Sequence, residues 1–265
     1  MPPKKTTTVG PSGSQPRKRR APVQPTIRSR LGLNKSTMSP GGGGETVTNL
    51  TQAQVERFNN LANRPFTPCK CFHAPTLDHL RIAREVEQLF SAIGWQKYLI
   101  INYPTFEELC CEFFSTFEFN RNEFITLDEP EVINFRLGGT QFGMSINEFN
   151  LTLGFVSEDT IASGAYINSA CDYTRPFSTD YIDIWREWST DRQIYNPSQS
   201  KASHLKDPVL KVVHRFLAHN FSGRKDTSGT LTKVEFYFLW CMRNKVRVNF
   251  GCWVATQMET VMQKR

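Results

Sequence analysis

The sequence predicts a mainly α-helical globular domain carrying one small β-hairpin near residues 131–145, with a disordered basic tail in front of it. Three observations lead there. Composition changes near residue 50, apolar residues beyond that point recur at helical spacing behind capping signals, and Gly138-Gly139 divides two short apolar runs.

Residues 1–45 combine Pro, Ser, Thr, Gly, Lys and Arg with almost no large apolar side chain, and they finish in Gly41 to Gly44. Ordering such a segment costs about 1–2 kcal/mol of backbone entropy per residue, with no apolar burial to offset it. The chain carries 32 basic and 25 acidic residues, a net charge of +7. Residues 1–50 hold nine Lys/Arg against Glu45 alone, a net of +8, which leaves 23 basic and 24 acidic residues, a net of −1, for residues 51–265. Attraction to polyanions through bulk charge is therefore expected from the tail and not from the fold. The expected organisation is a tail over 1–50 and one helical domain over 51–265, close to the size at which single cores stop growing.

From Thr51, the residues Val55, Phe58 and Leu61 recur at three-residue steps and predict a short helix that stops before Pro65. After a proline-bounded connector, Leu77, Leu80, Ala83, Val86, Leu89, Phe90 and Ile93 trace one face of a single helix ending at Gly94. Thr105 and Glu108 have capping-box spacing for a helix with a stripe of Phe106, Leu109, Cys110, Phe113 and Phe117, widened by Phe114 and so deeply buried. Val132, Ile133, Phe135 and Leu137 lead into Gly138-Gly139 and then Phe142 and Met144, a hairpin with a two-glycine turn. Ser145 and Glu148 box the next helix, which Gly154 ends. Tyr181, Ile184, Trp185 and Trp188 mark a short helix; Asp207-Pro208 caps another that Gly223 follows; Thr232 and Glu235 box a third; and Gly251 to Met262 forms the last.

Seven cysteines, an odd number, lie among helical patterns with no secretory leader ahead of them, which points to a reducing compartment. No stretch reaches the roughly 18–20 apolar residues that span a bilayer, so a soluble cytosolic or nuclear protein, with nuclear favoured, is expected. Pro16-Arg17-Lys18-Arg19-Arg20, with Lys4 and Lys5 upstream, is a proline-flanked basic cluster of the kind an import receptor's acidic grooves bind in extended form. Diffuse affinity for RNA or DNA phosphates is the alternative.

Cys69, Cys71 and His73 alternate along the connector, a spacing that fits poorly with a structural zinc site, whose fourth ligand would have to come from elsewhere, such as His79. Ordinary loop cysteines are expected there, and buried ones at Cys110 and Cys111. His214 and His219, five apart on a helix, fall on different faces without an HExxH motif and read as structural or exposed. The sequence carries no phosphate-cradling glycine motif, no GxSxG serine and no carboxylate pair in an acid/base setting, so neither an enzyme, a cofactor nor a small-molecule substrate is expected. The twenty phenylalanines lie at core spacing without interleaved Lys/Arg, which argues against base stacking. Arg243, Lys245 and Arg247, with Arg224 and Lys225, would make a small basic patch, though solvated surface is the default.

Several stretches in order resemble the open-reading-frame-one protein of plant Athila-type long-terminal-repeat retrotransposons. They are Phe135-Arg136-Leu137-Gly138-Gly139 with Phe142, Met144-Ser145, Glu148-Phe149 and Leu153-Gly154-Phe155; then Tyr195-Asn196-Pro197-Ser198, Ser200-Lys201-Ala202-Ser203, Asp207-Pro208-Val209-Leu210, His214-Arg215 and Ser222-Gly223-Arg224; and, less specifically, Phe238 to Met242. The resemblance covers roughly residues 75–258 and implies a mobile-element origin and a Gag-like or packaging role, with no catalytic residues to carry over. Members of that family commonly continue further, so a truncated or partial copy is one expectation here, beside a complete product. The CxxCx4HxxxxC zinc knuckle of retroviral-type nucleocapsids does not occur in these residues. The expected function is a non-enzymatic assembly or interaction module that self-associates through its helical domain, while its tail engages an import receptor or nucleic-acid phosphates. A domesticated nuclear DNA- or RNA-binding regulator is the alternative.

Overall fold

A computed structural model describes residues 50–65, 69–100, 105–120, 126–163, 181–224 and 229–263. Lys4, Lys5, Arg17, Lys18, Arg19 and Arg20 of the basic tail, with Pro104, Cys171 and Lys225, lie outside them. In chain order the helices are α1 (Gln52–Ala62), α2 (Ala74–His79), α3 (Ala83–Ala92) and α4 (Glu107–Thr116). After them come the strands β1 (Glu118–Phe119), β2 (Ile133–Leu137) and β3 (Thr140–Met144). The remaining helices are α5 (Ile146–Leu153), α6 (Glu158–Ala162), α7 (Tyr181–Trp188), α8 (Pro208–Asn220), α9 (Lys233–Asn244) and α10 (Phe250–Gln263).

Local side-chain chemistry starts most of these helices. Thr51, Ser145 and Thr232 each close a capping box, with Gln54, Glu148 and Glu235, and Asp207 accepts from Val209 N ahead of Pro208. Gly94 and Gly154 take positive φ, and the following amides reach back to Phe90 O and Asn150 O, so both end their helices as expected.

Two expectations fail. The single helix from Leu77 to Ile93 is two helices, because Arg81 adopts φ 57° and Ile82 N bonds to Leu77 O while Arg81 N bonds to Asp78 O. That is a glycine-type helix stop built on an arginine, at a cost of roughly 1–2 kcal/mol for the left-handed backbone, and it keeps Ile82 on the buried face. The Thr105/Glu108 box does not form either. The N-cap of α4 is Phe106, 64 % exposed; of the expected stripe Phe117, just past the helix, is buried and Phe113 packs against it, while the fully buried positions within α4 are Cys111, Glu112, Ser115 and Thr116.

The expected hairpin is present and has a third strand. The sheet order is β1-β2-β3, all antiparallel, with Ile133 opposite Met144, Phe135 opposite Phe142 and Leu137 opposite Thr140. Gly138 and Gly139, at φ 59° and 80°, make the two-residue turn that matches strand twist.

Three apolar clusters hold the elements together. The largest joins α3, α7, α8, α9 and the start of α10 around Trp95, Trp185, Phe236, Phe238 and Phe250, all essentially inaccessible. Its rings meet mostly tilted or edge-on, as in Phe238–Phe250 at 5.0 Å and 75°, which places many phenylalanines in the core and not on a base-stacking surface. The second packs Phe117, Ile133, Phe135 and Phe149 under the sheet, and the third joins Phe58 and Ala62 of α1 to Cys111 of α4. Helix α10 ties the first two clusters, giving Trp253 to one and Ala255 to the other. Its start is fixed by buried Asn150, which accepts from Gly251 N at 2.8 Å and donates to Asn249 Oδ1 at 2.8 Å. A Cβ at Gly251 would stand 2.6 Å from Asn150 Oδ1, so the Asn150 side chain in this position leaves room only for glycine there.

Candidate functional site

Two buried carboxylates and one exposed strand edge stand out. Glu235, at the first turn of α9, is 1 % exposed. Its Oε2 lies 3.1 Å from His214 Nε2 of α8 and also meets Arg224 Nη2, while Oε1 accepts from Arg224 Nε at 3.0 Å and Oε2 from Thr232 N at 3.2 Å. Burial pushes the Glu235 carboxyl up, but the bonds from His214 and Arg224 and the His214 charge, with a contribution from Ser222, outweigh it and hold the group down at about 2. An ionised carboxylate can only accept, so His214 Nε2 carries the proton, and Nδ1, also buried, has no partner among the described residues. This centre clamps α8, α9 and the turn between them.

Glu112 of α4, with no exposed surface, accepts from Gly138 N at 2.7 Å and Gly139 N at 2.9 Å, so one carboxylate grips both amides of the hairpin turn. Arg136 Nε stands 3.2 Å from Glu112 Oε1, an ion pair whose N–H is not aligned for a hydrogen bond. Thr116 Oγ1 accepts from Arg136 N at 2.8 Å. The polar face of α4 thus matches donors that the sheet presents and that a phenylalanine would leave unsatisfied.

The connector lies on α8, where Lys70 N and O exchange hydrogen bonds with the Asn220 side chain at 2.8 Å each. Cys71, His73 and Lys70 line a groove of about 440 Å³ with Leu80, Arg215 and His219. His73 Nδ1 is 2.8 Å from Thr76 Oγ1, and among the described residues no three His, Cys, Asp or Glu side chains come together as a metal site. His214 and His219 do face different ways, one buried at Glu235 and the other on this groove. Cys111 is buried, and burial first, then Cys110, Glu107 and Glu108, push its thiol up to about 12, so it stays protonated at neutral pH.

The arginines of the expected basic patch have separate partners: Arg224 with Glu235, Arg243 with Asp207 at 3.2 Å, and Arg247 with Thr160 Oγ1 at 2.8 Å. Sequence reading found Glu235 only as a capping residue and missed Glu112, because their partners stand 11 to 27 residues away and leave no periodic trace. The third feature, β3, is one of the two edge strands of the sheet, and Thr140 to Gly143 are all exposed.

Among the described residues no helix is long and apolar enough to cross a membrane. No curated protein and no solved structure is significantly similar to the chain. Residues 49–241 match the ATHILA ORF-1 family, from just before α1 to within α9, and so include the hairpin, both carboxylate centres and the connector. A match over that share of the sequence is decisive: this chain belongs to the ATHILA ORF-1 family of retrotransposon proteins.

Proposed function

We propose that this is a non-enzymatic, Gag-like assembly module in which the two parts of the chain divide the work. Residues 1–50 bring the protein to a nuclear import receptor and to nucleic-acid phosphates, and the helical body makes protein contacts, including contacts with further copies of itself. The observation that carries this reading is the separation of charge: +8 in residues 1–50 against −1 in the remainder. Within the body 23 basic residues are offset by 24 acidic ones, and Arg136, Arg224 and Arg243 face carboxylates, so no net positive charge there draws a polyphosphate.

The import half has a direct test. Residues 1–50 fused to a fluorescent reporter large enough to be excluded from passive entry should accumulate in plant nuclei, and the same fusion with Arg17, Lys18, Arg19 and Arg20 all changed to Ala should distribute as the reporter alone does. Uniform fluorescence from the unsubstituted fusion would remove import from the proposal.

A further inference from the structure

We infer that β3 is a self-pairing edge, through which two copies of this chain join their sheets about a two-fold axis at Phe142. The inference rests on the self-association proposed above and names its surface. A two-residue hairpin turn closes on a hydrogen-bonded pair, here Leu137 and Thr140, and bonded and non-bonded pairs then alternate along the ladder. Phe135–Phe142 and Ile133–Met144 are therefore bonded pairs, while Gln141 and Gly143 turn their N–H and C=O groups away from β2. The parity is visible on the far side of β2, where Arg136, the partner of Gln141, sends its amide outward to Thr116 Oγ1. Among the described residues the four outward groups of Gln141 and Gly143 have no partner.

Edges of sheets are usually guarded by lysine, proline, a bulge or a covering element. Thr140 to Met144 contain no charge and no proline, the five pairs run without a bulge, and Thr140 to Gly143 are exposed, with the Glu131 side chain lying against the face of Gly143 and not along its outward edge. A second copy fits this edge because the open groups are self-complementary. Antiparallel pairing centred on Phe142 sets Gln141 opposite Gly143 of the second copy, and Gly143 opposite its Gln141, forming four backbone hydrogen bonds from groups that are all open now. Phe142, 37 % exposed and stacked on its own Phe135 at 5.4 Å, would meet its symmetry mate at the non-bonded pair, where strands lie closest, making one row of four rings. Leu137, 38 % exposed on the same face, flanks that row.

The test is sedimentation of the full chain over a range of concentrations. The unsubstituted protein should move toward twice the chain mass as concentration rises. Gln141→Pro removes an outward amide and leaves the β2–β3 ladder intact, so its self-association should weaken at least about tenfold while its melting temperature stays near the parent's. Phe142→Glu and Phe142→Lys should each be monomeric, and an equimolar mixture of the two should dimerise, because only a two-fold axis at residue 142 brings the opposite charges together. Dimers that survive Gln141→Pro and both Phe142 variants would overturn the edge while leaving self-association in place. A parent chain that stays monomeric throughout would overturn both.

Discussion

Replacing Glu235 with Gln should cost about 3–5 kcal/mol of stability, because it leaves His214 buried and Arg224 half-buried without the carboxylate that both face. For a domain of this size that is a fall of about 10 °C in melting temperature. The pH dependence identifies the cause. Glu235 is held at about 2 in the folded chain against an ordinary 4.5, so its contribution is fully present above the unfolded value and is lost as pH falls from about 4.5 toward 2. The difference corresponds to about 3 kcal/mol. Denaturant melts at pH 7, 4 and 2.5 should show the parent losing stability steeply across that window and Glu235→Gln losing about 3 kcal/mol less. Equal acid sensitivity in the two proteins would place the acid-labile group elsewhere.

Changing Glu112 to Gln should destabilise by about 3 kcal/mol and loosen the hairpin in particular. The carboxylate serves Gly138 N and Gly139 N at once and faces Arg136, which is 9 % exposed at its side chain; the amide keeps only one acceptor oxygen and no charge. Hydrogen exchange should speed up at the Gly138 and Gly139 amides before it does in α8 or α9. Because β3 hangs on that turn, the same substitution should also weaken self-association. A variant that exchanges slowly at the turn and dimerises like the parent would show that the clamp is not what holds the edge.

Much of this fold was legible because its signals are local. The boxes at Ser145/Glu148 and Thr232/Glu235 and the Asp207-Pro208 cap act within one helical turn, and paired glycines between apolar runs state a hairpin outright. The break at Arg81 escaped because the usual glycine is absent and the apolar rhythm runs on across it. Lys245, at φ 58°, closes α9 in the same unmarked way. The face of α4 was only half legible for a different reason: helical periodicity ranks residues by apolarity and so finds Phe113 and Phe117, whereas Glu112 and Thr116 are buried by donors that arrive from β2 and its turn, 20 or more residues on. The edge of β3 was hidden because strand order, and so which strands lie at the edges, follows from the short β1 pairing on the other side of β2.

In the function proposed for this chain, polyanion binding belongs to residues 1–50. Titrating a single-stranded RNA with the full chain over a series of salt concentrations measures it, since each phosphate neutralised contributes about −0.7 to the slope of log affinity against log salt. Changing Arg17, Lys18, Arg19 and Arg20 to Gln should reduce the magnitude of that slope by about 3, and changing all nine Lys/Arg of residues 1–50 should abolish binding at physiological salt. A nine-residue variant that kept the parent's affinity and slope would mean that the helical body itself grips the phosphates, and the division of labour proposed here would be wrong.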